Sequence, residues 1–118
     1  MAKSRKLAAL TAQLDAIRAD PTSAAGVMAL VLGESRLPEA FPVLRDWWQR
    51  TTHQELRQTG LLAIALLRRE EAIQWLLQLL AAAPQREAAG ALEALGLYQN
   101  DPTLWAQVRS RLASRPEL

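Results

Sequence analysis

The chain has 118 residues, half of them apolar, a size and composition that suit one domain around one core. Lys and Arg total 14 against 12 acidic residues, so a net charge of +2 excludes the strongly basic class of nucleic-acid proteins. Without cysteine and with a single histidine, His53, there is no disulfide frame, no thiolate metal site and no histidine-based one, and a metal or cofactor is not expected.

The first predicted element covers about 3–19, where Leu7, Leu10, Leu14 and Ile17 form one apolar stripe. Its start, Met1 to Lys6, is basic, but the residues after it alternate apolar and polar and end in Asp15 and Arg18, unlike a signal-peptide core. No apolar run is long enough to cross a bilayer. A cytoplasmic protein without membrane insertion is the expectation. Further helices are expected at about 23–33, 38–50, 53–68, 70–82, 85–98 and 102–113. The few β-branched residues and the helical apolar spacing leave no strand, so the fold class is all-α.

Punctuation explains those boundaries. Pro38 and Pro102 suit the first helical position, Asp101 is placed to cap the helix that Pro102 opens, and Thr52 with Glu55 has the spacing of a capping box. Connections of two to five residues make consecutive helices antiparallel. The resulting hairpin repeats: "GVMALVL" from Gly26, "GLLAIAL" from Gly60 and "GALEALG" from Gly90 occupy equivalent places, 34 and then 30 residues apart. A period of this length built from helix pairs signals an α-solenoid.

The expected division is an N-terminal capping helix within 1–20 and repeats at 22–51, 52–83 and 84–113, all in one domain. The helix from Leu56 to Leu67 is apolar nearly all round, as a helix covered on several sides must be, with Arg57 and Gln58 as exceptions. Gly26, Gly60 and Gly90 would allow helices to approach closely there.

The stretch Pro38 to Leu44, followed by Glu55-Leu56-Arg57-Gln58 and Glu70-Glu71-Ala72-Ile73, resembles HEAT repeats of the short bacterial type named after phycobilisome lyases. The resemblance runs from about Thr22 to Leu112. It implies a curved scaffold and leaves function open, because such repeats serve many unrelated systems.

"RDWWQR", Arg45 to Arg50, looks most like a site. On a helical wheel both Trp47 and Trp48 fall inside the arc of Ala40, Phe41, Val43 and Leu44, and Leu79 and Leu80 stand in their places in the next repeat. The pair is therefore first a packing demand, with Arg45 and Arg50 at the edges of the arc. A buried indole still needs an acceptor for its N–H. The last helix carries a narrower stripe of Leu104, Trp105, Val108 and Leu112, as a terminal helix should.

Catalysis by His53 lacks a Ser or Cys partner nearby, and the carboxylates Glu34 and Glu39 or Glu70 and Glu71 read as charges at helix starts, where the dipole favours them, so no enzyme is expected. Iron-binding HEAT-like enzymes use His-Glu pairs that this chain lacks. Those that excise alkylated bases use tryptophans with an aspartate, whereas Asp46 points away from the tryptophan arc.

The leading expectation is a protein–protein scaffold or assembly factor that binds its partner through the second helices and adjoining loops, with Arg45, Trp48, Gln49, Arg50, Gln74 and Gln78 as contact residues. One alternative is nucleic-acid binding with phosphate contacts from Arg57, Arg68, Arg69, Arg86, Arg109 and Arg111. The other, implied by the resemblance, is a phycobilin lyase or chaperone-like subunit.

Overall fold

The structure, a computed structural model, describes residues 21–118, so the expected helix at 3–19 lies outside the described residues. Along them run α1 (Pro21–Ser35), α2 (Ala40–Arg50), α3 (Gln54–Leu66), α4 (Glu70–Ala82), α5 (Gln85–Leu95), a 3-10 turn (Gly96–Tyr98) and α6 (Pro102–Ala113), and among them there is no strand. The helices pair into three antiparallel hairpins.

The hairpins stack in two layers. The first helices α1, α3 and α5 lie side by side, and α4 and α6 adjoin in the second layer. Helix α2 joins that layer through rings, since Trp75 of α4 meets Phe41 and Trp48 edge-on at centroid distances of 6.0 and 5.2 Å. Helix α3 touches α1, α2, α4 and α5, which is the burial its nearly uniform apolar surface demands.

The repeat is most regular in the second helices. Each brings a row spaced four residues apart into the interior: Ala40, Leu44 and Trp48; Ala72, Leu76 and Leu80; Leu104, Val108 and the partly buried Leu112. Residues four apart share one helical face, so the row makes a continuous ridge. In the middle hairpin the whole row is at 0% exposure, because neighbours cover it on both sides.

Six helix boundaries differ from expectation, and three of them have a local cause. Helix α2 starts at Ala40 rather than Pro38, because the chain enters through a tight turn in which the Ala40 and Phe41 amides donate to Leu37 and Pro38. Helix α3 starts at Gln54 with His53 as its N-cap and no side-chain cap bond, so Thr52 lies one residue too early for the expected capping box. The element expected at 85–98 narrows at Leu95 into the 3-10 turn, where the Gln99 amide bonds Gly96 and satisfies a terminal carbonyl. Asp101 does cap α6: its Oδ1 accepts from the Leu104 amide at 3.0 Å, with Pro102 behind it.

Tyr98 pins that 3-10 turn to the first-helix layer by donating from its hydroxyl to the Ala65 carbonyl in α3. Burial pushes its phenol above the usual range, which keeps the donor proton in place.

The glycines divide differently from the sequence pattern. A methyl on Gly60 would stand 3.0 Å from Trp47 and 3.4 Å from Trp48, and one on Gly90 would stand 2.8 Å from Gln58 Oε1. Gly26 has ordinary room, with nothing closer than Leu56 at 3.7 Å, so no close approach depends on it. The tightest approach is at Gly33, whose added methyl would meet backbone atoms of Ala63.

Candidate functional site

The α2–α3 corner, where the chain turns from a second helix into the next first helix, carries a groove of about 360 Å³ with a mixed polar and apolar lining. Its walls are the corner itself, with Gln49, Thr51, Thr52 and Gln54, and the start of α5, with Pro84, Arg86 and Glu87. Trp48, Arg57, Gln58, Leu61 and Gly90 complete the lining.

Arg57 builds this groove. Its Nη1 donates to the carbonyls of Trp48 and Thr51 at 2.9 and 2.8 Å, at the end of α2, where the Trp48 carbonyl also accepts from the Thr51 amide at 3.2 Å. Its Nη2 reaches Glu87 of α5 at 3.2 Å, and the guanidinium lies over the Trp48 ring at 4.1 Å. One side chain thus ties together the end of α2, the start of α3 and the next repeat. Beside it Gln58 Nε2 donates to the Gly90 carbonyl at 3.1 Å, an approach that a side chain at residue 90 would obstruct.

Trp48 is only 5% exposed, and its indole Nε1 is buried without a partner. It is part of the ridge and floors the groove, so it does not offer the protruding indole edge that a contact residue would present. Leu80 fills the same place in the next repeat, which shows that the position requires bulk and not an N–H.

The other expected contact residues are spread over the second-helix layer. Gln49 is exposed and lines the corner groove. Arg45 is half-buried, stacks over Phe41 at 5.4 Å and stands 3.7 Å from Asp46. Arg50 is exposed, returns to the Asp46 carbonyl at 3.3 Å, and edges a separate apolar cavity of about 200 Å³ between α1 and α2, where Val43 is 54% exposed. On α4, Gln74 bonds Glu70 at 3.1 Å and Gln107 at 3.5 Å, while Gln78 is exposed. Gln49 and Trp48 therefore meet at the groove, and the others do not converge with them.

Sequence reasoning passed over Gln54 and Glu87, read Thr52 as a helix cap, and took Arg57 and Arg86 for phosphate contacts. The signal for Arg57 was present: a lone arginine in a helix otherwise apolar on every side has to be spent internally.

The six arginines considered for phosphate contacts form no stripe. Arg57 is consumed at the corner, Arg68 lies over the Tyr98 ring at 5.5 Å, and Arg69 donates to the Arg36 carbonyl at 2.8 Å. Arg68 and Arg69 belong to the α3–α4 connection, at the opposite end of the hairpins from Arg57 and Arg86, and Arg109 and Arg111 stand apart on α6. His53 is exposed at the start of α3. Glu70 and Glu71 occupy the first turn of α4 as expected, whereas Glu34 lies in the last turn of α1 and not at a helix start. Among the described residues no group of three or more His, Asp or Glu could hold a metal ion, and no helix is long and apolar enough to cross a membrane.

A family model described as HEAT repeats matches residues 7–112, without further subdivision into a bacterial lyase type. No curated protein and no solved structure matches the chain.

Proposed function

The chain belongs to the HEAT-repeat family, and from that premise we propose that it is a non-enzymatic scaffold or assembly factor that docks another protein at the α2–α3 corner. Repeats of this family generally mediate protein–protein interaction. The observation that carries the reading is the contrast within the corner. Arg57 and Gln58 are engaged across the floor, while Gln49, Thr52, Gln54 and Arg86 line it with no side-chain hydrogen bond to other described residues.

A braced floor surrounded by unspent donors and acceptors suits an extended partner segment, whose main-chain amides and carbonyls pair with glutamine side chains without much ordering cost. Apart from the groove, Arg45 and Arg50 on α2 and Gln74 and Gln78 on α4 supply separate contacts on the second-helix layer. Trp48 acts beneath this surface as support.

Two surface variants test the proposal. Gln49→Ala with Arg86→Glu alters the groove, and Arg45→Glu with Arg50→Glu alters the adjoining face of α2. Both should keep helicity and melting temperature while reducing partner capture by at least about tenfold, since each 1.4 kcal/mol is a factor of ten. Unchanged capture by both variants would overturn the surface assignment.

A further inference from the structure

The α4–α5 corner is the counterpart of the groove one repeat later, and it is filled by the segment that follows α6. At the first corner the Trp48 and Thr51 carbonyls receive Arg57, the fourth residue of α3. At the second corner the corresponding carbonyls are those of Leu80 and Ala83, but the fourth residue of α5 is Ala88, which cannot cap them. Arg115, from beyond α6, does so instead: its Nη1 donates to Leu80 at 3.2 Å and to Ala83 at 2.7 Å.

The likeness extends to the remaining contacts. Arg57 pairs with Glu87 at 3.2 Å, and Arg115 pairs through Nε with Glu117 at 2.7 Å. Both guanidinium-bearing side chains are largely covered, at 19% and 14% exposure. Gln85 adds a bond from Nε2 to the Glu117 carbonyl at 3.4 Å, and Leu118 packs against the core. A turn closed by the Leu118 amide on the Arg115 carbonyl, with Pro116 between, holds this short segment in shape. Arg115 also holds the Glu117 carboxyl below the usual carboxylate range, as a formed ion pair requires.

We propose that the α4–α5 corner is a second docking site, selective for a short turn-forming segment bearing an arginine followed two residues later by a carboxylate, and that residues 114–118 occupy it as an intramolecular strap. The arginine is the recognition element, because one end of its planar guanidinium donates through Nη1 to both carbonyls while Nε, on another edge, pairs with the carboxylate. A lysine in its place offers one compact donor group. Strap and groove flank the same Ala83-Pro84-Gln85 connection, so releasing the strap uncovers a second corner next to the first.

The test uses the full chain carrying Arg115→Ala. Its melting temperature should fall by about 3–6 °C, and exchange at the Leu118 amide should accelerate at least about tenfold, with helicity retained. The peptide Ser-Arg-Pro-Glu-Leu, added at millimolar concentration, should raise the melting temperature of the variant and leave the wild type unchanged, whereas Ser-Ala-Pro-Glu-Leu should do neither. Arg115→Lys should recover less than half of the loss. Should Arg115→Ala fold poorly, Glu117→Gln, altering a side chain 41% exposed, gives a milder release read by the same amide exchange. An unchanged melting temperature and unchanged exchange in Arg115→Ala would overturn the strap, and equal effects of the two peptides would overturn the arginine-reading site.

Discussion

Replacing Gly33 by alanine should destabilise the protein by about 1–3 kcal/mol, the usual range for overpacking a filled interface. The added methyl would lie 2.9 Å from Ala63 Cα and still closer to the Ala63 carbonyl oxygen. Neither atom can turn aside as a side chain would, because both belong to the α3 backbone. Relief requires α1 to move away from α3, which loosens the first-helix layer. Gly26→Ala provides the internal control, since its methyl would meet only Leu56 and Thr59 at 3.7 and 3.9 Å. That substitution should be neutral or stabilising by up to about 1 kcal/mol, because alanine is the better helix former. The denaturant midpoint should fall for Gly33→Ala and hold or rise for Gly26→Ala, and an equal fall in both would contradict the packing described for α1.

Arg57→Ala should cost about 2–3 kcal/mol, read from the same midpoints. Two main-chain acceptors at the end of α2 lose a charged donor, and the Trp48 face loses its cation. The ion pair with Glu87 adds little to this figure, because Glu87 is 37% exposed and solvent screens the pair. Arg57→Lys should restore less than half, since an ammonium cannot stack on the indole and bridge both carbonyls together. A loss below about 0.5 kcal/mol for Arg57→Ala would mean that the corner is not held by this side chain.

Much of the architecture was legible because it rests on local periodicity. The ridge positions in α2, α4 and α6 follow from spacing alone, and comparison of Trp47-Trp48 with Leu79-Leu80 placed the tryptophans in the interior. The depth of burial was not legible from the wheel: Trp48 shares an arc with the exposed Val43, and only the position of α4, with Trp75 against its ring, separates them.

Close contacts between distant residues were the other blind spot. Gly33 matters through a backbone thirty residues away, while Gly26, in the repeated pattern, has room to spare. Arg57 was visible as an exception in an apolar helix, but its acceptors are main-chain carbonyls, which carry no sequence signature. The same holds for Arg115. Its role depends on α5 having alanine where α3 has arginine, a difference that gains meaning only once the two corners are superposed.

The central claim, that a partner protein seats at the α2–α3 corner, is tested most directly by site-specific photocrosslinking in the native host. A photoreactive residue is placed in turn at Gln49, at Arg86 and, on the far helix, at Thr103. Positions 49 and 86 should yield the same crosslinked protein, competed away by the unlabelled chain but not by its Gln49→Ala, Arg86→Glu variant, while position 103 yields none of it. Equal crosslinking from all three positions, or a product from position 103 alone, would contradict the claim.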